Sequence, residues 1–243
     1  MPVYTTLFSR IITCCLIGFL PIVLSAQHYT HSTFWGRLIV ATPLSNNWDI
    51  QFEYVHRSQN NYRESKWNPF GHEALEEPRL WFNFKQKNYT VFLNPITYYY
   101  SLPMLGKEAD FNIKPNTIWQ ACVGIEAKQN IKKWTIKERM LYEYRFLKSL
   151  NYVPVGRVRL RALVQYALTD KTKLQAYSDV FLNTPPHRFP YLFDQNWSLM
   201  GLSHQFTPKF TMELGYMRNH RVRLNRIEFD EENAVNMAFN FKL

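Results

Sequence analysis

Ionic side chains that recur at every second position are the groups in this sequence whose spacing suggests chemistry. Arg157, Arg159 and Arg161 alternate with apolar residues, so on a β-strand their guanidinium groups share one face. Neighbouring segments carry further ionic groups that we place on the same face: Lys137, Arg139, Glu143, Arg145, Asp179 and Glu213. Because most of these segments follow one another along the chain, we expect the charges to be neighbours across a sheet. Once enclosed, they would either attract anionic or phosphorylated solutes or pair with one another as a plug, and we favour the plug.

Catalytic and cofactor chemistry has less support in the sequence. Ser203 and His204 are adjacent, so on a strand they point to opposite faces and cannot pair locally; the same holds for Ser178 and Asp179. A hydrolase of membrane lipids would therefore need a serine–histidine pair across two strands, and it stays open as an alternative. The sequence has no metal-ligand spacing, glycine-rich phosphate loop or paired-cysteine motif, so we assign no catalytic residue, cofactor or metal.

The charge balance is strongly basic, with a formal net charge of +10. Nucleic-acid binding usually needs basic residues that cluster with aromatic residues on one exposed surface. Here the basic residues alternate along predicted strands, so we expect no nucleic-acid partner.

The elements that must position these charges are long alternating segments. At the C-terminal end, Val235, Met237, Phe239 and Phe241 alternate with small or polar residues, which is the period of a β-strand. Similar segments of about 10 to 13 residues recur along the chain, the length that a tilted strand needs to cross a bilayer. The sequence therefore predicts an all-β fold, an antiparallel up-and-down transmembrane β-barrel.

The strand count follows from the segments and the connections between them. The candidate strands are 32–44, 48–58, 79–87, 89–100, 115–127, 133–146, 156–168, 173–183, 195–206, 210–220 and 232–243. Short turns, one of them at Gln129-Asn130, alternate with long loops at 59–78, 101–114, 147–155, 184–194 and 221–231. Bacterial barrels normally have an even number of strands, so we expect about twelve, with ten as the next choice and a short extra strand near Gln27 to Ser32 as one source.

The orientation of the strands follows from the cost of placing charge in lipid. An Arg or Lys on the lipid side at the bilayer midplane costs roughly 2–4 kcal/mol. The face with Arg157, Arg159 and Arg161 should therefore look inward, and the apolar face should contact hydrocarbon. A secreted, soluble, lipocalin-like binding barrel is the further alternative, and it requires the opposite orientation.

The first 26 residues have the layout of an export signal. Arg10 precedes an apolar run from Ile11 to Leu24, and Ser25-Ala26 offers a small-residue cleavage site. We expect residues 1–26 to be a cleaved signal peptide and 27–243 to be one barrel domain. Cys122 is then the single cysteine of the mature chain, so the fold forms without an intramolecular disulfide.

Several motifs between residues 157 and 218 resemble an uncharacterised bacterial family, domain of unknown function 2490. The motifs are Tyr177-Ser178-Asp179-Val180-Phe181-Leu182-Asn183, Phe193-Asp194-Gln195-Asn196, Gly201-Leu202, Gln205-Phe206-Thr207-Pro208 and Leu214-Gly215-Tyr216-Met217-Arg218. The resemblance covers most of the chain from about Phe34 to Leu243. It implies an outer-membrane barrel and supplies no catalytic residues.

Together these patterns predict an integral protein of the cell outer membrane in a Gram-negative-type envelope. We expect a structural role, or the passage or binding of a small solute. The expected partners are outer-membrane lipid, lipopolysaccharide and the barrel-assembly machinery. The identity of the solute and the oligomeric state stay open.

Overall fold

The computed structural model describes residues 27–185 and 191–243. The export signal expected over residues 1–26 lies outside the described residues, as does part of the loop predicted over 184–194. In the described ranges, no helix has both the length and the apolar character needed to cross a bilayer.

The described chain forms a closed β-barrel. Its strands are β1 Gln27–Pro43, β2 Trp48–Gln59, β3 His72–Lys85, β4 Tyr89–Ser101, β5 Asn116–Ile131, β6 Trp134–Leu147, β7 Pro154–Ala167, β8 Thr172–Thr184, β9 Phe193–Thr207, β10 Phe210–Val222 and β11 Glu228–Lys242. Two short 3-10 helices, Glu108–Asn112 and Lys148–Leu150, lie in long loops. Each strand pairs with its sequence neighbour in antiparallel fashion, and β1 pairs with β11 to close the barrel.

The expectation of about twelve strands, or ten, is wrong for the described residues, which form eleven strands. An odd number makes the first and last strands run in the same direction, and β1 and β11 do pair in parallel from Gln27–Glu228 to Ala41–Lys242. The stretch from Gln27 to Ser32, suspected of being an extra strand, is the beginning of β1 itself. The barrel therefore has one parallel seam in an otherwise antiparallel sheet.

Two prolines interrupt the ladder around β4. Pro78 lies within β3 and Pro95 within β4, and pairing is irregular near both positions. Proline has no amide hydrogen to donate, so a sheet tolerates it where the ladder is already broken. Side chains supply hydrogen bonds next to Pro95. The Asn94 side-chain amide donates to the Leu80 carbonyl at 2.9 Å, and the Thr97 hydroxyl donates to Asn94 Oδ1 at 2.9 Å.

The connections alternate in length as expected, but the turn between β5 and β6 is not at Gln129-Asn130. It lies at Lys132 and Lys133, because β5 continues to Ile131. Asn130 pairs with Thr135 in the ladder, and the Thr135 hydroxyl donates to Asn130 Oδ1 at 2.9 Å. Lys132 adopts a positive φ of 53°, which a two-residue hairpin turn requires.

The two faces of each strand differ as the alternation predicts. On β7, Leu160 points outward and is 41% exposed, whereas the adjacent Arg159 points inward and is 8% exposed. Outward aromatic residues near the short turns pack across strands, with ring centroids 5.1 Å apart for Trp48 and Phe84 and 4.7 Å apart for Trp134 and Tyr166. A soluble, lipocalin-like barrel needs its apolar face inside, which is the reverse of this arrangement.

Candidate functional site

The interior of the barrel contains the ionic residues that the sequence suggested, beginning with a triad on β7 and β8. Asp179 is fully buried and accepts hydrogen bonds from Arg159 and Arg161. Arg161 Nε and Nη2 both lie 2.6 Å from Asp179 carboxylate oxygens. One carboxylate therefore neutralises part of the charge of two guanidinium groups.

A second group of ion pairs lies nearer the long loops. Arg157 donates to Glu143 at 2.6 Å through Nε and to Asp194 at 2.7 Å through Nη1. The Arg157 guanidinium carbon also lies 4.7 Å above the ring centroid of Phe181, which is fully buried. This group joins β6, β7 and β9 inside the lumen.

Lys137, Arg139 and Glu213, three further charges suggested by the sequence, lie nearer the short turns. Lys137 Nζ is 3.2 Å from Glu126, and Arg139 Nε donates to the same carboxylate at 2.8 Å. Glu213 lies apart on β10, where it accepts from Gln175 at 3.1 Å and lies 3.6 Å from Arg37. Eight of the nine sequence-suggested residues thus separate into distinct ion-paired groups, and they do not form one continuous basic surface; Arg145 is the exception.

A layer of mostly large side chains lies between two adjoining cavities of the lumen, and we call it the constriction layer. Its members are Trp35, Val55, Arg79, Arg159 and Trp197, which line the cavities on both sides. The rings of Trp35 and Trp197 meet edge to face with centroids 4.7 Å apart, and Arg159 lies 4.7 Å above the Trp197 ring. Contacts between cations and aromatic faces are favourable where water is excluded, so the layer is held in place as well as bulky.

Two cavities adjoin at the constriction layer. The short-turn cavity has a volume of about 370 Å³ and the long-loop cavity a volume of about 530 Å³. Basic side chains outnumber acidic ones on the wall of the short-turn cavity: Arg37, Arg79, Lys85, Lys137, Arg139, Arg159 and Arg161 face Glu53, Glu126 and Glu213. Both volumes suit a small solute, since ligand pockets usually span roughly 300–1,000 Å³.

Arg145 gives the long-loop cavity an unusual feature. The side chain lines this cavity and is 6% exposed. Its Nε and Nη2 atoms have no hydrogen-bond partner within the described part of the chain. A buried guanidinium donor without a partner is costly, so a small anion bound here would supply the missing acceptor.

The loop between β4 and β5, residues 102–115, crosses the mouth of the barrel, and we call it the strap. Gln59 on β2 donates to the Pro103 carbonyl at 2.8 Å and accepts from the Leu105 amide at 3.1 Å. Lys107 then reaches β11, where its Nζ lies 2.6 Å and 2.7 Å from the two carboxylate oxygens of Glu228. The strap therefore lies at the mouth of the long-loop cavity and is tied to β2 and β11, the two strands that flank β1.

Ion pairing perturbs two groups at the strap. The hydrogen bond to Glu228 raises the pKa of Lys107 above its usual value. Burial alone would lower the pKa of Arg223, but the hydrogen bonds and charges of Asp230 and Asp110 outweigh burial and raise that pKa. Arg223 Nη1 is 3.0 Å from Asp110, so a second ion pair anchors the strap beside the first.

Sequence reasoning missed the acids and aromatic residues that complete the interior. Glu232 is fully buried and ion-paired with Arg57, and Glu53 accepts from the Trp81 indole at 3.1 Å. All four residues fall on the inward phase of their strands, so extending the alternation to β2, β3 and β11 would have found them. The lumen is consequently better neutralised than the sequence suggested.

The histidines are engaged away from serine hydroxyls in the hydrogen bonds of the described residues. His31 bonds to Asp230, His72 to Glu64 and Asn61, and His204 to the Thr172 hydroxyl at 2.8 Å. The hydrolase alternative needs a serine hydroxyl activated by a histidine. These contacts do not support the hydrolase alternative.

The closed sheet, the outward apolar face and the ion-paired interior define a β-barrel with the faces arranged as in a membrane-spanning barrel. The sequence model of the family described as protein of unknown function DUF2490 matches residues 32–229. The chain belongs to this family, as the motifs between residues 157 and 218 indicated.

A solved porin structure shares the barrel fold at low sequence identity. The NanC porin has 14% identity and a TM-score of 0.52, with 88% of this chain and 98% of the porin covered. OmpT of Vibrio cholerae, expressed in the outer membrane, has 10% identity and a TM-score of 0.39, with 74% and 57% covered, and is too distant to support an argument. No curated protein matches the sequence.

Proposed function

We propose that the protein is an integral outer-membrane barrel that holds small anionic solutes in its lumen and does not form an open water-filled pore. The outward apolar stripes and the aromatic pairs near the short turns support a position across a bilayer. The porin-type fold and the predicted export signal support the outer membrane as the location. Lipid, lipopolysaccharide and the barrel-assembly machinery remain the partners that we expect for such a protein.

The observation that carries the proposal is the constriction layer between the two cavities, with Arg145 on its long-loop side, where Arg145 Nε and Nη2 have no hydrogen-bond partner in the described part of the chain. A barrel built for free diffusion needs a continuous water-filled lumen. Here Trp35, Trp197 and Arg159 contact one another between the two cavities. We therefore expect a solute to occupy a cavity and its passage to require movement of these side chains.

Bilayer recordings test whether the lumen is closed. We expect purified wild-type protein to show no steady conductance in a planar bilayer. Trp197→Ala should open a small anion-selective conductance, because the wall on the short-turn side carries excess basic charge. Trp134→Ala, which removes an outward indole of the same size, is the matched control and should stay silent. Steady conductance by the wild type would refute the closed lumen.

Anion binding in the long-loop cavity has a separate test. We expect the refolded barrel to bind inorganic phosphate in equilibrium dialysis, with an affinity that falls as salt rises. Arg145→Ala should abolish this binding. Arg226→Ala removes an exposed loop arginine as the control and should leave binding unchanged. Equal phosphate binding by the wild type and Arg145→Ala would exclude Arg145 as the anion ligand.

Location is tested by fractionation of cells. The protein should remain with the outer-membrane fraction after washing with high salt and carbonate, and it should need detergent for extraction. Recovery in the soluble periplasmic fraction would refute the proposal and would reopen the soluble-barrel alternative.

A further inference from the structure

Three potential metal ligands meet on the outer wall of the barrel, away from the lumen. They are His28 on β1, His220 on β10 and Glu231 on β11, and their ligand atoms all lie within 4.8 Å of one another. All three side chains point outward, because side chains alternate along a strand and the buried residues His31, Asn219 and Glu232 occupy the inward-facing positions of the same strands. The lumen proposal does not use this cluster.

The distances suit a tetrahedral ion after a small adjustment. His28 Nδ1 lies 3.4 Å from Glu231 Oε1, and His220 Nδ1 contacts the same oxygen. Ligand atoms around tetrahedral zinc are roughly 3.3 Å apart, given bonds of about 2.0–2.1 Å. An ion would therefore replace the present His220–Glu231 contact without movement of the backbone.

Neighbouring side chains already orient the three ligands. The Phe229 ring stacks on the His28 ring with centroids 5.3 Å apart and on the His220 ring with centroids 4.8 Å apart. Arg218 Nε donates to Glu231 Oε2 at 3.2 Å, which leaves Oε1 facing the imidazoles. Outer contacts of this kind hold metal ligands in place in known sites.

The height of the cluster on the wall gives an ion access from water. The outward residues of β10 are apolar from Phe210 to Tyr216, and the ionic residues begin at Arg218. The Tyr216 hydroxyl contacts Asn233 at this boundary. His28 and His220 have side chains that are 41% and 32% exposed. The cluster thus lies on the long-loop side of the apolar band, level with lipid headgroups.

The geometry points to a zinc site formed by His28, His220 and Glu231 that clips the parallel seam between β1 and β11. Two imidazoles and one carboxylate form a ligand set that zinc accepts, and the fourth position stays open for water or a headgroup oxygen. Parallel pairing is slightly less stable than antiparallel pairing, and this seam is the one parallel junction of the described barrel. An ion held by β1, β10 and β11 cross-links the strands at that junction.

Zinc titration of the refolded barrel, without a histidine tag and in competition with a chromogenic chelator, tests the site. The wild type should bind one equivalent of zinc. His28→Ala, His220→Ala and Glu231→Gln should each weaken binding by more than about tenfold, since even outer-shell changes cost about 10–100-fold. His56→Ala is the matched control, because His56 contacts Glu76 on the outer wall and belongs to no three-ligand group in the described part of the chain. This variant should bind zinc like the wild type.

A measurement of thermal stability tests whether bound zinc also stabilises the parallel pair of β1 and β11. Zinc should raise the temperature at which the wild-type barrel loses its folded migration on gels, and a chelator should reverse the shift. His220→Ala should fold normally without zinc and show no zinc-dependent shift. Absence of zinc binding by the wild type, or binding that survives the double change His28→Ala and His220→Ala, would overturn the site. Zinc binding without a rise in the unfolding temperature would overturn the proposed stabilisation of the β1–β11 pair.

Discussion

Replacement of Asp179 by Asn is the change that most severely tests the enclosed arginine face. Asp179 has no exposed surface and accepts hydrogen bonds from Arg159 and Arg161. The amide has nearly the same shape as the carboxylate but carries no charge. Asp179→Asn therefore leaves two buried guanidinium groups without their shared counter-ion, and little else changes.

The expected magnitude follows from the burial of all three partners. Removal of one partner from a buried ion pair costs about 3–5 kcal/mol, because the remaining charge stays out of water. Arg159 and Arg161 side chains are 9% and 10% exposed, so solvent offers little compensation. We expect Asp179→Asn to lower the free energy of unfolding by an amount in this range.

Urea titration of the barrel in lipid vesicles, followed by tryptophan fluorescence, measures this change. Asp170→Asn is the matched control, because Asp170 is exposed in the turn between β7 and β8, and surface changes usually stay within about 0.5 kcal/mol. A loss of less than about 0.5 kcal/mol for Asp179→Asn would refute the reasoning. In that case the arginines would have to be solvated rather than enclosed.

Three further changes have definite expected outcomes. Lys107→Ala should loosen the strap on its β11 side and speed protease cleavage within residues 102–115 several-fold; an unchanged cleavage rate would show that the Lys107–Glu228 ion pair does not hold the strap. The pKa of Lys107 is raised in the folded protein, so its contribution is complete below the unfolded value of about 10.4 and is lost as pH rises through the folded value. In the wild-type protein, cleavage within residues 102–115 should therefore stay slow from neutral pH to about pH 10 and accelerate above it. Faster cleavage already at pH 8 would contradict the raised pKa of Lys107. Leu160→Arg should cost about 2–4 kcal/mol in lipid vesicles, whereas Leu160→Phe should be nearly neutral in the same urea titration.

The faces of the strands could be predicted from the sequence because a period of two needs no tertiary information. Arg159 and Leu160 are adjacent, and their opposite environments follow from the pleat alone. The Arg161–Asp179 contact was also within reach, since β7 and β8 are consecutive and these residues are directly opposite in the ladder. Pairing of strands that are neighbours in the sequence therefore explains most of the agreement between the predicted and the observed side-chain positions.

The strand parity and the constriction layer could not be predicted in the same way. Parallel closure depends on where β1 meets β11, and these strands are at opposite ends of the described chain. Trp35 on β1 and Trp197 on β9 are three strands apart in the wall, so their contact depends on the curvature of the barrel, which alternation does not specify. The partner of Arg57 is Glu232, 175 residues away, because closure of the barrel places β11 two strands from β2.

The orientation of the apolar stripes is the claim on which the membrane barrel depends, and a spin label at position 160 tests it most directly. Leu160→Cys can be labelled without removal of Cys122, because the Cys122 side chain is buried and 3% exposed. Wild-type protein treated with the same reagent is the control and should remain unlabelled. In lipid vesicles we expect a label that oxygen relaxes readily and that a water-soluble nickel chelate does not reach. Strong relaxation by the nickel chelate, or a label immobilised by protein contacts and protected from both reagents, would contradict the assignment.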